Sequence, residues 1–135
     1  MQENLGKPQE KLVLIVDDDD SIRDLLEFVV KKEGFKIEKA ADGKSALEKA
    51  KNLNPDLILL DLMLPGYGGF EILRELQSYE TASIPIIIIT GRYADRTTIE
   101  LIKQEPNVKE FVEKPIKVNI LSSLIHKILK TKPLK

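Results

Sequence analysis

Residues Leu12-Val13-Leu14-Ile15-Val16-Asp17-Asp18-Asp19-Asp20 pass directly from five apolar side chains to four acids. The apolar run is too short for a helix and shows no polar alternation, so it reads as a β-strand buried on both faces. Outward from it, similar runs recur at Leu57 to Leu60 and Ile86 to Ile89, with shorter ones at Phe35 to Ile37 and Phe111 to Val112. Five strands are expected.

Segments of helical length and period lie between these runs. Ser21 to Lys32 places Ile22, Leu25, Leu26 and Val29 on one face and stops at Gly34, a favourable helix-ending residue. A second segment begins near Asp42-Gly43 and carries Ala46, Leu47 and Ala50 before the Asn54-Pro55 turn. A third runs from Gly69 to Ser78, and a fourth from Asp95 to Gln104, closed by Pro106. The last, Val118 to Lys130, shows a wide apolar stripe of Ile120, Leu121, Leu124, Ile125 and Ile128. Regular alternation of doubly buried strands with helices predicts an α/β fold: a doubly wound, five-stranded parallel sheet of flavodoxin-like order 2-1-3-4-5 with five helices. Residues 1–10 read as a polar leader, 11–130 as the domain and 131–135 as a tail, its lysines at a frayed helix end.

Composition narrows the class of function. The 135 residues suit a single domain, and 42% hydrophobic with 32% charged is an ordinary globular balance. A net charge of -1 gives no basic field for direct nucleic-acid binding or for a membrane surface, so partners are expected to be proteins. The absence of cysteine excludes disulfides, thiol catalysis and Cys-ligated zinc. With neither a signal peptide nor a membrane span in the sequence, a cytoplasmic location is expected.

In doubly wound sheets, ligands bind at the carboxyl ends of the strands. The first strand runs into Asp17 and Asp18, and the third ends in Asp61. Converging carboxylates repel one another unless a cation intervenes, and a hard ion such as Mg2+ prefers such oxygens together with retained water. Asp19 and Asp20 have a simpler reading as the acidic start of a helix, with Asp20 or Ser21 as the cap. Thr90 follows the fourth strand and Lys114 the fifth, supplying a hydroxyl and a cation. With a metal, these could neutralise the oxygens of a phosphoryl group transferred to Asp61. Taken singly, Thr90 and Lys114 are ordinary surface residue types; their placement at successive strand ends gives them weight.

The stretch Val13-Leu14-Ile15-Val16-Asp17-Asp18-Asp19-Asp20-Ser21-Ile22-Arg23, the stretch Asp61-Leu62-Met63-Leu64-Pro65-Gly66, Thr90 and Glu113-Lys114-Pro115 together resemble the motifs of two-component response-regulator receiver domains, over about Lys11 to Lys130. The resemblance implies a stand-alone phosphoacceptor switch. Asp17, Asp18, Asp61 and the backbone carbonyl of Met63 would hold Mg2+. Asp61 would take a phosphoryl group from a histidine kinase phosphohistidine, or exchange it with a phosphotransfer protein. Thr90 would then move toward the phosphoryl, Lys114 would pair with it, and Phe111 would turn inward. The surface of the fourth helix, fifth strand and fifth helix would change for a downstream protein target. A cis Lys114-Pro115 peptide is also implied. No output segment is expected after the fifth helix, so the expected readout is a bound partner or a phosphorelay step.

Some features depart from the family pattern. Phe111 stands where many members have Tyr, Gly91 where Ala is common, and Gly68 where the loop often has Asp. Gln104 to Lys109 lacks the usual Gly-Ala and is slightly lengthened. Two rival readings were weighed. A haloacid-dehalogenase-type phosphatase could use Asp17-Asp18-Asp19 as its Asp-x-Asp, but it needs a later acidic pair, and no Asp or Glu follows Glu113. A degenerate receiver serving as a phosphorylation-independent interaction module would lack acceptor-site residues, all of which are present. The Gly66-Tyr67-Gly68-Gly69 turn lacks nucleotide-loop spacing. His126, the single histidine, reads as a packing or surface residue rather than a relay group.

In the family, residues two beyond the acceptor Asp and two beyond the Thr govern phosphoryl lifetime, and here they are Met63 and Arg92. Neither offers a carboxamide or carboxylate to orient a water, so the phosphorylated chain is expected to lose its label over hours rather than seconds. Decay of label in purified protein with Mg2+ checks this, and loss within seconds overturns it.

Overall fold

The computed structural model describes residues 5–62, 69–78, 80–91 and 96–133. The opening apolar run is strand β1 (Leu12–Val16). It is followed in chain order by α1 (Asp20–Lys32), β2 (Lys36–Ala40), α2 (Gly43–Leu53), β3 (Leu57–Asp61), α3 (Gly69–Glu75), β4 (Ile86–Thr90), α4 (Arg96–Lys103), β5 (Val108–Glu113) and α5 (Val118–Leu129). The strands form one sheet in the order β2-β1-β3-β4-β5, and every pairing is parallel.

Parallel strands covered on both sides need apolar residues at every position, with successive residues serving opposite layers. Leu14, Val16, Ile58, Leu60, Ile86 and Ile88 pack with Ala46, Leu47 and Ala50 of α2, Ile72 and Leu73 of α3, and Ile102 of α4. Their neighbours Val13, Ile15, Leu57, Leu59, Ile87 and Ile89 pack with Leu26, Val29 and Val30 of α1 and Leu121, Ile125 and Leu129 of α5. The central strands are thereby clamped between two apolar layers, which fixes the position of whatever follows them.

Local signals set the boundaries, with some differences from the sequence reading. Asp19, rather than Asp20 or Ser21, caps α1: its Oδ1 accepts from Ser21 N at 2.8 Å and Ile22 N at 3.2 Å. Asp42 caps α2 through Ser45 N at 2.8 Å. Gly34, at φ 94°, takes the left-handed conformation that ends α1. Strand β5 starts at Val108, earlier than its apolar residues suggest, and a register irregularity leaves Lys109 unpaired between Val108 and Glu110. The extra residue is a β-bulge near the start of the strand. Glu27 ties α1 to β2 through Lys39 at 2.7 Å, and also pairs with Lys31 at 3.0 Å. Hydrogen bonds from Lys39 and then Lys31 hold its carboxyl below the ordinary range. This tie is present at neutral pH and weakens as the pH falls through the lowered value.

The C-terminal lysines are not frayed as far as Lys132. Lys130 takes a left-handed conformation that turns the chain back, Gly6 N donates to Lys130 O at 2.9 Å, and Lys132 N donates to Gly6 O at 3.2 Å. Beneath this junction His126 is buried, with Nδ1 2.7 Å from Thr131 Oγ1 and Nε2 2.7 Å from Glu33 Oε1. An ionised carboxylate only accepts, so Nε2 carries a proton and the Thr131 hydroxyl adapts to either state of Nδ1. The ring also lies 5.1 Å from that of Phe35. One imidazole on α5 thus joins the residue that ends α1, the ring just before β2, and Thr131, which itself bridges to Gly6. His126→Ala is expected to destabilise the fold by about 2 kcal/mol, from lost packing and polar groups left without partners. Urea unfolding measures this, and a change below about 0.5 kcal/mol, the range of ordinary surface substitutions, would remove the junction's claimed role.

Candidate functional site

The parallel register decides where the acids meet. Val16 of β1 pairs with Leu60 of β3, so Asp17 and Asp61 leave neighbouring strands at the same level. Asp17 and Asp61 are buried and Asp18 is exposed. Each offers a carboxylate oxygen, and these oxygens lie within 4.8 Å of one another. Asp17 Oδ1 accepts from Asp19 N at 2.9 Å, whereas Asp17 Oδ2 is buried and accepts no hydrogen bond.

Lys114 follows β5 and reaches back over the sheet edge. Its Nζ lies 3.3 Å from Asp17 Oδ2 and 3.7 Å from Asp61 Oδ2. The first separation is short, but its geometry makes no hydrogen bond, so the attraction is one of charge. The backbone holds this lysine in place: Lys114 N donates to Thr90 O at 2.8 Å, extending the β4–β5 ladder by one step. The Lys114-Pro115 peptide is cis.

Thr90 is the last residue of β4, one position beyond the partner of Asp61. It is buried, and its hydroxyl makes only a long contact of 3.3 Å to Gly91 O. Among the described residues, nothing lies within 4 Å of where a Cβ on Gly91 would point. Phe111, partly buried on β5, packs against the apolar layer under α4, and the Lys103 ammonium sits 5.6 Å above its ring. An open cavity of about 450 Å³ runs along Phe111 to Pro115 and is also lined by Lys117 and Ile120. Met63 and Arg92, together with Gly66 and Gly68, fall outside the described residues.

Asp17, Asp18, Asp61, Thr90 and Lys114 therefore share the carboxyl edge of one sheet, and Phe111 lies further back along β5. Sequence reasoning gave no role to Arg23, whose guanidinium bonds Asp17 O at 2.8 Å. Its signal was positional: four residues after the capping Asp19, it stands one helical turn above the acids. The Lys103 contact was likewise unforeseen.

Residues 13–126 match the family described as response regulator receiver domain. The chain belongs to that family. Among curated relatives, the receiver is 35% identical over 118 residues to the transcriptional regulatory protein AfsQ1 of Streptomyces coelicolor, covering 87% of this chain and 51% of that one. It is 37% identical over 105 residues to the DNA-binding response regulator MtrA of Mycolicibacterium smegmatis, covering 78% and 44%. The receiver thus spans about half the length of these relatives. Among solved structures it superposes on the chemotaxis protein CheY4 of Vibrio cholerae with a TM-score of 0.80 at 27% identity, covering 88% and 98%. A response regulator receiver domain protein from Clostridium thermocellum gives a TM-score of 0.77 at 26% identity, covering 88% and 94%.

Two buried carboxylates meet at this edge of the receiver, with the Lys114 ammonium beside both. Asp61→Asn is expected to raise the metal-free melting temperature by roughly 3–5 °C, while saturating Mg2+ raises the wild type by more than the variant. Thermal unfolding with and without Mg2+ reads both effects, and a variant no more stable than wild type in the absence of metal counts against mutual repulsion.

Proposed function

We propose that the receiver accepts a phosphoryl group on Asp61 in a Mg2+-dependent reaction and thereby switches a protein-binding surface. The observation that carries this reading is the convergence of oxygens from Asp17, Asp18 and Asp61 within 4.8 Å, with the Lys114 ammonium beside two of them. The donor set fits the ion: all hard oxygens, one of them the buried and unbonded Asp17 Oδ2. Asp17, Asp18 and Asp61 would hold it, with the Met63 carbonyl as the remaining protein ligand. Mg2+ would supply positive charge to the phosphoryl oxygens.

The chain's own groups do the rest. An Asp61 carboxylate oxygen attacks the phosphorus of a phosphohistidine; the new P–O bond forms as the P–N bond breaks, and the electron pair returns to the imidazole nitrogen. Lys114, already 3.7 Å from Asp61, pairs with the added charge. The Thr90 hydroxyl, with only a long contact to Gly91, is available to hydrogen-bond the phosphoryl. Phe111 then turns inward. The responding surface includes exposed Leu101 of α4 and Ile120 of α5 beside the β5 cavity, which suits a protein target.

The donor would be a sensor histidine kinase or a phosphotransfer protein, and the setting cytoplasmic. No helix among the described residues is long and apolar enough to cross a membrane. The net charge of -1 gives no support for direct contact with nucleic acid. A phosphorylation-independent module would not need this acid and lysine cluster intact. Labelling with acetyl phosphate or phosphoramidate and Mg2+ is expected to add one phosphoryl group to the wild type and none to Asp61→Ala, read by intact mass. Label persisting in the variant would move the acceptor elsewhere.

A further inference from the structure

We infer that Arg23 is a positioning residue for the acidic cluster, its forked guanidinium fixing the β1–α1 turn so that one oxygen of Asp17 is left to face a cation. This rests on the reading of the cluster as a Mg2+ site.

Every polar atom of Asp17 but one is hydrogen-bonded within the chain, and the exception, Oδ2, faces the Lys114 ammonium at 3.3 Å. Its N donates to Ala40 O at 3.2 Å, prolonging the β1–β2 ladder. Its O accepts from Arg23 Nη1 at 2.8 Å, and its Oδ1 accepts from Asp19 N at 2.9 Å. Only Oδ2 accepts no hydrogen bond, and it is buried. Rotation of the peptide between Asp17 and Asp18 would swing both acids, and the carbonyl of that peptide is the group that Arg23 holds.

The second prong pairs with Asp20 Oδ1, so one planar group spans the turn from Asp17 to Asp20. The main chain closes the other side, with Arg23 N donating to Asp19 O at 2.9 Å. An isolated pair with Asp20 would contribute little, because that carboxylate is 85% exposed. Arg23 itself is only 17% exposed, and its bond to the carbonyl of a fully buried residue is shielded from water. A lysine carries the same charge but lacks the two-pronged geometry. Mg2+ demands near-ideal ligand placement, so a loosened turn should weaken binding without removing any ligand.

The test uses the full chain as wild type, Arg23→Ala and Arg23→Lys, titrated calorimetrically with Mg2+ alone at fixed ionic strength. Hydrogen exchange of the amides from Asp18 to Ile22 is followed on the metal-free proteins. Arg23→Ala is expected to weaken Mg2+ binding about tenfold, the lower end for groups that support metal ligands, and to speed exchange at Asp19 and Ser21. Arg23→Lys, which keeps the charge and is the safer variant for folding, is expected to fall between. Mg2+ affinity in Arg23→Ala equal to wild type overturns the inference alone, and wild-type affinity in Arg23→Lys overturns the fork as its cause. No Mg2+ binding by the wild-type chain overturns the reading of the cluster and the inference with it.

Discussion

Asp17 and Asp61 leave adjacent strands at one level, both buried, and two ionised carboxylates a few ångströms apart in a poorly screened setting repel by an energy on the order of a few kcal/mol. Single-domain stability is itself only about 5–15 kcal/mol, so the arrangement persists only because other parts of the chain compensate for it. Among the described residues, compensation comes from Lys114 and Arg23. Lys114 approaches from β5, across the strand that carries Thr90, and Arg23 closes the turn behind Asp17. The strand order is what makes the first approach possible, since β4 alone separates β3 from β5.

Holding charges in this way needs a rigid base. The central strands contribute apolar side chains to both layers at every step, so a one-residue shift would exchange residues between layers and break both packings at once. Register is therefore fixed in the interior, and the polar residues at the strand ends inherit that precision without supplying it. The His126 junction secures the opposite, N-terminal side of the structure, where Gly6, Thr131 and the end of α1 come together.

Legibility in the sequence followed the same division. β1, β3 and β4 could be read because double burial leaves an unbroken apolar run, and the residues ending such runs could be placed at one edge from topology alone. β2 and β5 lie at the sheet's two sides, where polar residues such as Lys36, Glu38 and Glu110 intrude; their limits were recognisable only from pairing. The cap of α1, expected at Asp20 or Ser21, lies at Asp19, because neighbouring capping residues are chemically near-equivalent and backbone conformation selects among them. Arg23, Lys103 and the His126 junction depend on contacts across turns or between distant segments, which no local pattern encodes.

A weak contact on β5 bears on how such an edge could signal. Phe111 and Lys114 lie on one strand and its continuation, three residues apart, so the residue that meets the acids and the ring beneath α4 share a backbone. What holds the ring toward α4 is partial burial and the Lys103 ammonium, and a contact of that kind contributes about 0.5–1 kcal/mol where water has access. A two-state element needs competing arrangements separated by no more than a few kcal/mol, since a ligand can shift them only by its differential affinity. A fully buried aromatic at this position would sit too deep in one state to respond. In the switch proposed above, Phe111, partly buried near the register irregularity at Lys109, would be held firmly enough to have a preferred position and loosely enough to lose it.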